Sequence, residues 1–542
     1  MEKLRNSAIR KNISNAALML LLAVYVVSAF TGKNMNGLSA AAGSVVILLN
    51  LPFMGKTFKI PAFVFAVIGV IVLAAGHAPL SQWMYGINSM MKTVVILIAV
   101  QTLSLAINVG KYESAVSDVL NTDIKNTALL FVILLLLSHL LAGVMSLGSV
   151  VVIIAAVYPA VRGRMDNEES FIAEAITIGY CTLFLWAPGT VTVLMSMQVF
   201  DLSWSEYFFP AVMLAGLGLL LGCTAGFIRY RKLEFGQTAE KCASDDSAEC
   251  VQAGVNNDIT KDKELCTEHN IFGNKVLQNV NDTAGNKIIY TAVSNMTTGS
   301  INTKNAANAD DLNTNTAVDD NGVYGVHRMK NAARRRICEL ALVLIVTVAG
   351  ISLLEKIGFS NAAGRMTVVS LIVSAVWMLL LKRRIDISGI PKLWWDKKLP
   401  GNNDLYTFFI AMGLFSGAVS YLGADSMLTG IGAAYGDMIG KMIIILLPLA
   451  VIALSLIGIH PFISVIMLGQ AVNAMPLGVT ALQLGLSMSL GCCLSYMVSP
   501  FAGLILTMSD ALNMKPAEIC FKINMKFAVL YYAAAVIFIM VI

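Results

Sequence analysis

Gly458-Ile459-His460-Pro461-Phe462-Ile463-Ser464 sits in the middle of an apolar run that extends from Met442 to Met475. Gly, Pro and an imidazole at that place break a helix where no water reaches the freed backbone groups, so protein or a water-filled cavity must surround the break. The same device returns at Ser495-Tyr496-Met497-Val498-Ser499-Pro500-Phe501-Ala502-Gly503, inside the next long apolar run. Two interrupted hydrophobic segments in succession point to a binding site built from broken helices.

The surrounding composition fixes the class. The chain is 57% hydrophobic and 13% charged, and many segments reach the roughly 17–25 apolar residues that a spanning helix needs. An all-α polytopic membrane protein follows, with the lipid bilayer as its first partner. The net charge of +5 is too small to imply nucleic acid. The first apolar run, from Ala16 to Phe30, has no small-residue cleavage site and reads as the first helix. None of the nine cysteines forms a CxxC pair, so neither a disulfide framework nor a metal site is expected, and no cofactor.

Apolar segments fall at 15–31, 37–54, 60–76, 93–109, 171–200, 206–228, 337–354, 364–381, 405–422, 480–509 and 525–542. Two longer ones, 127–161 and 441–476, read either as two short crossings or as a re-entrant hairpin. A hairpin arm of about 16 residues rises only about 24 Å, short of a hydrocarbon core near 30 Å. The expectation is therefore about 11 transmembrane helices plus two re-entrant hairpins. Residues 1–36 hold the N-terminus and first helix, and 37–232 form a first membrane repeat with hairpin 127–161 and broken helix 171–200. Residues 233–336, rich in Asn, Asp, Ala, Thr and Lys, read as a disordered linker. A second repeat, 337–542, carries hairpin 441–476 and broken helix 480–509.

Basic residues orient this array. With the N-terminal Lys3, Arg5, Arg10 and Lys11 inside, one parity also puts inside Lys56, Lys59, Lys111 and Arg162. Arg229 and Arg231, Arg334 to Arg336, Lys382 to Arg384, Lys397 and Lys398 follow on the same side. The expected N-terminus and linker are thus cytoplasmic, the C-terminus external, and the membrane is the inner, cytoplasmic one.

The halves align weakly but in order. Gly143 meets Gly458, Ser149 meets Ser464 and, after a small shift, Gly179 meets Gly491, Cys181 meets Cys493, Pro188 meets Pro500 and Glu206 meets Glu518. Four helices precede the first hairpin and three the second, which gives the repeats inverted topology, a signature of secondary transporters.

Helix N-termini at hairpin tips suit an anionic carboxylate, while hydroxyls and unwound carbonyls suit a small hard cation, sodium above all. The first candidate cluster is Ser146, Gly148, Ser149, Pro188, Gly189, Thr190 and Thr192. The second is His460, Pro461, Ser464, Ser495, Ser499, Pro500 and Gly503. A hydroxyl bonded back to a carbonyl one turn earlier is the plainer reading for each Ser and Thr. His460 reads equally as a proton or anion site and as a tip side chain bonded to carbonyls. His139 reads as a packing group or an inter-helix bond, and Glu174 as a helix-start carboxylate near Arg162 and Arg164. No Asp or Glu stands at a tip or Pro-containing break, and no Walker, HExxH or GxSxG motif occurs, so ATP hydrolysis and enzyme chemistry are not expected.

Two opposed hairpins, each followed by a broken helix, resemble the ion transporter superfamily, and within it the divalent-anion/sodium symporters. That resemblance implies a sodium-coupled carrier of a di- or tricarboxylate-like anion, working as a homodimer with an elevator motion. The family carries Ser-Asn-Thr at each tip, whereas this chain has Met145-Ser146-Leu147-Gly148-Ser149 and His460-Pro461-Phe462-Ile463-Ser464. A proton-coupled cation or oxyanion exporter of the same superfamily is the alternative, and a membrane enzyme a more distant one.

Overall fold

The structure, a computed structural model, describes residues 2–110, 126–145, 147–161, 167–231, 323–383, 387–423, 430, 440–473 and 475–542. Helices α1 (Glu2–Thr31), α2 (Asn36–Asn50), α3 (Lys56–Ala75), α4 (Leu80–Ser89) and α5 (Met91–Gly110) precede the first hairpin segment. It consists of α6 (Thr127–Met145) and α7 (Leu147–Val161). The broken helix follows as α8 (Glu168–Leu183) and α9 (Val191–Val199), then α10 (Trp204–Tyr230). The second half contains α11 (Val323–Lys356), α12 (Ala362–Lys382), the short α13 (Ile390–Leu393) and α14 (Asn403–Tyr421). After these come α15 (Ile443–Leu456), α16 (Pro461–Asn473), α17 (Ala481–Val498), α18 (Gly503–Leu512) and α19 (Met525–Val541).

Nine helices among the described residues are long and apolar enough to cross a membrane, so the chain is a multi-pass membrane protein. The arms of the two hairpin segments, Thr127–Gly143, Ser149–Tyr158, Gly440–Leu456 and Pro461–Asn473, are shorter apolar helices. Two expected crossings are not among the nine: α14 with 19 residues, and 171–200, which the break divides into helices of 16 and 9. One boundary moves. Helix α11 begins at Val323, inside the stretch read as linker, and 232–322 lie outside the described residues.

Packing in one half recurs in the other. Helix α6 lies on α8 as α15 lies on α17, α9 meets α16 as α18 meets α7, and α3 pairs with α14 as α5 pairs with α12. The spacing that aligns Gly179 with Gly491 also aligns Val191 with Gly503, the first residues of α9 and α18. It aligns Phe184 with Tyr496, and these two rings stack on each other, centroids 4.5 Å apart and planes 10° from parallel.

Small residues set these close approaches, as helices in lipid require. A methyl on Gly179 would overlap the Leu135 carbonyl oxygen and come within 2.9 Å of the His139 nitrogen; one on Gly491 would come within 2.8 Å of Pro448 Cα. Backbone cannot yield as a flexible side chain can. Gly216, on α10, has open space instead. Gly179→Ala and Gly491→Ala should therefore each cost about 1–3 kcal/mol of stability. Gly216→Ala should leave thermal unfolding of the purified protein unchanged, and equal melting of all three would refute this account of the packing.

Candidate functional site

The second hairpin segment turns on a helix end whose hydrogen bonds are all local. Ile457 ends α15, Gly458 adopts φ +90°, the Gly458 N–H donates to the Ser455 carbonyl and the Ile459 N–H to that of Leu454. This is the glycine-terminated cap that satisfies last-turn carbonyls. His460 then starts α16: its carbonyl accepts from Ile463 at 2.9 Å, Pro461 fills the first helical position, and Phe462 N–H donates to His460 Nδ1 at 3.3 Å. Its ring lies among Phe58, Phe462 and Tyr496, with centroids 4.6–6.2 Å away. An imidazole that accepts a backbone N–H is neutral at Nδ1, so His460 is a helix cap.

At the first tip, Ser146 lies outside the described residues, Gly148 falls in the first turn of α7, and Ser149 is buried.

The two breaks share one solution to the problem of freed carbonyls. Leu185 and Met497 occupy matching positions. Tyr207 OH donates to the Leu185 carbonyl at 2.8 Å, and Asn524 Nδ2 donates to that of Met497 at 3.0 Å. Both donors come from the segment that follows the second part of each broken helix. In the first break, Pro188 is buried, Gly189 packs close to Val100, and Thr190 Oγ1 donates to the Ala187 carbonyl at 2.9 Å. In the second, Ser499 Oγ donates to the Ser455 carbonyl at 2.8 Å, tying the break to the end of α15, while Pro500 and Gly503 flank the turn.

Between the breaks the two halves touch through hydroxyls and a thiol. Thr192 Oγ1 and Cys492 Sγ are 3.1 Å apart, Ser196 Oγ and Ser489 Oγ are 2.8 Å apart, and Ser489 Oγ also meets Tyr207 OH at 2.7 Å. The counterpart of the Ser196–Ser489 pair is Thr177 Oγ1 with Met508 Sδ, at 3.8 Å.

Sorting the candidates by their bonds separates them. Thr190, Thr192 and Ser499 have protein partners. Ser464 and Ser495, on the packed helices α16 and α17, are fully buried, and neither Oγ has a hydrogen-bond partner among the described residues; Ser487 is the same. A buried hydroxyl without a partner costs about 1–3 kcal/mol, so such groups call for an explanation. Among the described residues no group of three or more His, Cys, Asp or Glu side chains could hold a metal ion.

Tyr207, Asn524, Ser196 and Ser489 escape a sequence reading because nothing marks them apart from ordinary polar residues in apolar helices. His139 does form the expected inter-helix bond, and its reach is wider than that. Its Nδ1 lies 3.0 Å from the Gly179 carbonyl and 3.1 Å from Thr182 Oγ1, and Trp186 Nε1 donates to its Nε2 at 3.2 Å. Accepting from the indole leaves Nδ1 as the donor, which fixes the tautomer and joins the hairpin arm to the first break. Glu174 needs correcting. The helix starts at Glu168, six residues before it, and Arg162 and Arg164 lie outside the described residues. Glu174 is buried in the second turn of α8, where Arg229 Nη1 at 2.6 Å and Tyr230 OH at 2.8 Å donate to its carboxylate.

Compared with known proteins, the chain matches no family model and no curated protein.

Replacing His139 by Leu strips the partner from Trp186 Nε1, while the Gly179 carbonyl keeps the Thr182 hydroxyl at 3.1 Å, and should cost about 1–3 kcal/mol for the indole left unpaired. Adding Trp186→Phe should recover part of that loss. Additive effects in this double-mutant cycle, read by thermal unfolding, would dismiss the His139–Trp186 bond as a determinant of the break.

Proposed function

We propose that this protein is a secondary active transporter that moves a small organic anion of di- or tricarboxylate type across the cytoplasmic membrane, coupled to sodium. The observation that carries the reading is the pair of matched breaks, each beside a hairpin segment, with unspent buried hydroxyls on Ser464 and Ser495. Paired discontinuous helices at the interface of two repeats are where secondary transporters hold substrate and ion. In this reading the halves are inverted repeats, α6–α7 and α15–α16 are re-entrant hairpins, and the stacked rings of Phe184 and Tyr496 lie on the axis relating them.

Ser464 and Ser495 bring neutral oxygen, which a small hard cation accepts. The starts of α9 and α16 bring the partial positive charge of a helix N-terminus, which a carboxylate accepts, although the Phe462 and Ile463 N–H groups of α16 are already bonded to His460. The breaks retain fewer free carbonyls than a bare unwound turn, since Leu185 and Met497 are taken by Tyr207 and Asn524. Hydroxyls therefore carry more of the ion-binding burden here. Proton coupling through His460 is the lesser reading, because its Nδ1 is already engaged by the backbone of Phe462.

Packing also suggests what moves. Helices α6–α10 and α15–α19 form one group, while α3 with α14 and α5 with α12 form a second, which would be the scaffold of an elevator and supply a dimer interface. The basic clusters put the N-terminus and the 233–336 segment in the cytoplasm and the C-terminus outside.

Thermal unfolding of the purified protein in sodium, against choline and with a carboxylate panel added, tests the proposal. Ligand at about a hundred times its dissociation constant stabilises by about 2.7 kcal/mol. The expected result is a sodium-specific shift that one carboxylate enlarges. Ser464→Ala and Ser495→Ala should abolish that shift without lowering stability in choline, since neither hydroxyl has a bond to lose. A shift insensitive to sodium but dependent on pH would overturn the sodium reading in favour of the proton-coupled exporter.

A further inference from the structure

Away from the breaks, a crevice of about 230 Å³ opens between α5, α12 and the segment leading into α13. Its walls are Thr102, Leu105, Met378, Ile387, Ile390 and Trp394. The Thr102 hydroxyl is turned to its own helix, donating to the Ala99 carbonyl at 2.6 Å, so the surface offered is apolar. Trp394, half-buried, forms one end of this wall.

Around this apolar slot the charge is strongly one-sided. Residues 382–398 contain six basic and two acidic side chains. Lys382 and Arg383 close α12, one turn beyond Met378, while Lys392 and Lys397 flank Trp394 on either side. One of the two acids, Asp396, is already paired with Lys11 at 3.7 Å. Lys392 and Lys397 are exposed, and neither has an ion-pair partner among the described residues.

We infer that this is a site for one anionic phospholipid, its acyl chain in the crevice and its phosphate among Lys382, Arg383, Lys392 and Lys397. The occupant follows from charge complementarity joined to apolar shape. An apolar slot without a charged wall rejects a soluble anion, and a basic rim beside it rejects nothing that carries phosphate. Only a molecule with both parts uses both surfaces. Tryptophan beside lysine is also the side-chain pairing that suits headgroup depth. This site is independent of the proposed transport cycle.

Phosphatidylglycerol with brominated acyl chains, titrated into the detergent-purified full chain, tests the site. Bromine on the chain should quench a part of the tryptophan fluorescence that the Trp394→Phe variant lacks. Phosphatidylcholine with the same chains should need far higher concentrations. The Lys392→Gln/Lys397→Gln double variant should raise the half-quenching concentration on the order of 30-fold, from about 1 kcal/mol per basic residue near the surface. Leu105→Phe, which fills the crevice, should weaken quenching by both lipids. Being on the surface, the lysine changes keep the test decisive if Leu105→Phe does not fold. Equal potency of the two lipids, or quenching of undiminished size in Trp394→Phe, would overturn the inference. So would displacement of the lipid by glycerol phosphate alone, which would make the basic rim a free-anion site.

Discussion

A helix broken inside a bilayer must find partners for the carbonyls it releases, because lipid supplies none. That constraint organises the centre of this protein. Leu185 and Met497 present the freed carbonyls of the two breaks, and Tyr207 and Asn524 reach back to cap them. Capping in turn fixes where the helices after each break can run. It brings Tyr207 onto Ser489 and Asn524 toward Thr177, each residue belonging to the opposite half. The contact between the halves is therefore a consequence of how each half repairs its own break. Gly179 and Gly491 serve the same end from the other side, letting the hairpin arms approach closely enough to bury both breaks.

The repair is not the same in both halves, and the difference bears on function. The first break is bolted to its hairpin arm by the His139–Trp186 bond. At the matching positions the second half has Leu454 and Val498, which can make no such bond. Its break is held to its arm by one hydroxyl, from Ser499 to the Ser455 carbonyl. Nearby, Ser464 and Ser495 keep their hydroxyls unspent. A rigid half and a less constrained half with free oxygen donors is an arrangement in which ligand binding adds most order to the second half. In the proposed transporter, that is where ion occupancy would be felt.

Much of this was legible in the amino-acid order, and the reasons are physical. Breaks at Pro188 and Pro500, and the tip at Gly458, announce themselves because Gly and Pro are costly in mid-membrane and so stand out against Leu and Ile. Gly179 and Gly491, which the two halves align, stand out because close helix contact tolerates nothing larger. What could not be read is which hydroxyl bonds to which group. Thr192, Ser196, Ser464 and Ser495 look alike in sequence, yet two are paired across the halves and two are not. His460 looked equally like a proton site; only the position of its ring over the Phe462 amide makes it a cap. Glu174 meets Arg229 and Tyr230, more than fifty residues away in sequence, because α8 and α10 are packed side by side. The start of α11 at Val323 was hidden by composition, since its first turns are polar and basic.

One more contact constrains any motion between the two helix groups. The N–H groups of Trp204 and Ser205, which open α10, donate to the two oxygens of Glu355 at 3.0 and 2.8 Å, and Arg365 holds the same carboxylate at 2.8 Å. Glu355 ends α11 and Arg365 begins α12, so this clasp joins the hairpin group to the proposed scaffold. A carboxylate at a helix N-terminus is well placed electrostatically, and an arginine at its back holds it there. Trp204 Nε1 adds a bond to Ser352 Oγ at 3.2 Å beside this clasp, and further along α10 and α11 Trp186, Phe208, Leu344 and Val348 line an apolar crevice. Apolar surfaces in lipid slide without losing hydrophobic driving force, because lipid tails replace the contacts they lose. Resistance to sliding is thus concentrated at one end, in a few directional bonds. An elevator built this way would rest in the state the clasp defines, and the energy needed to leave it would be set by Glu355 rather than by the length of the interface.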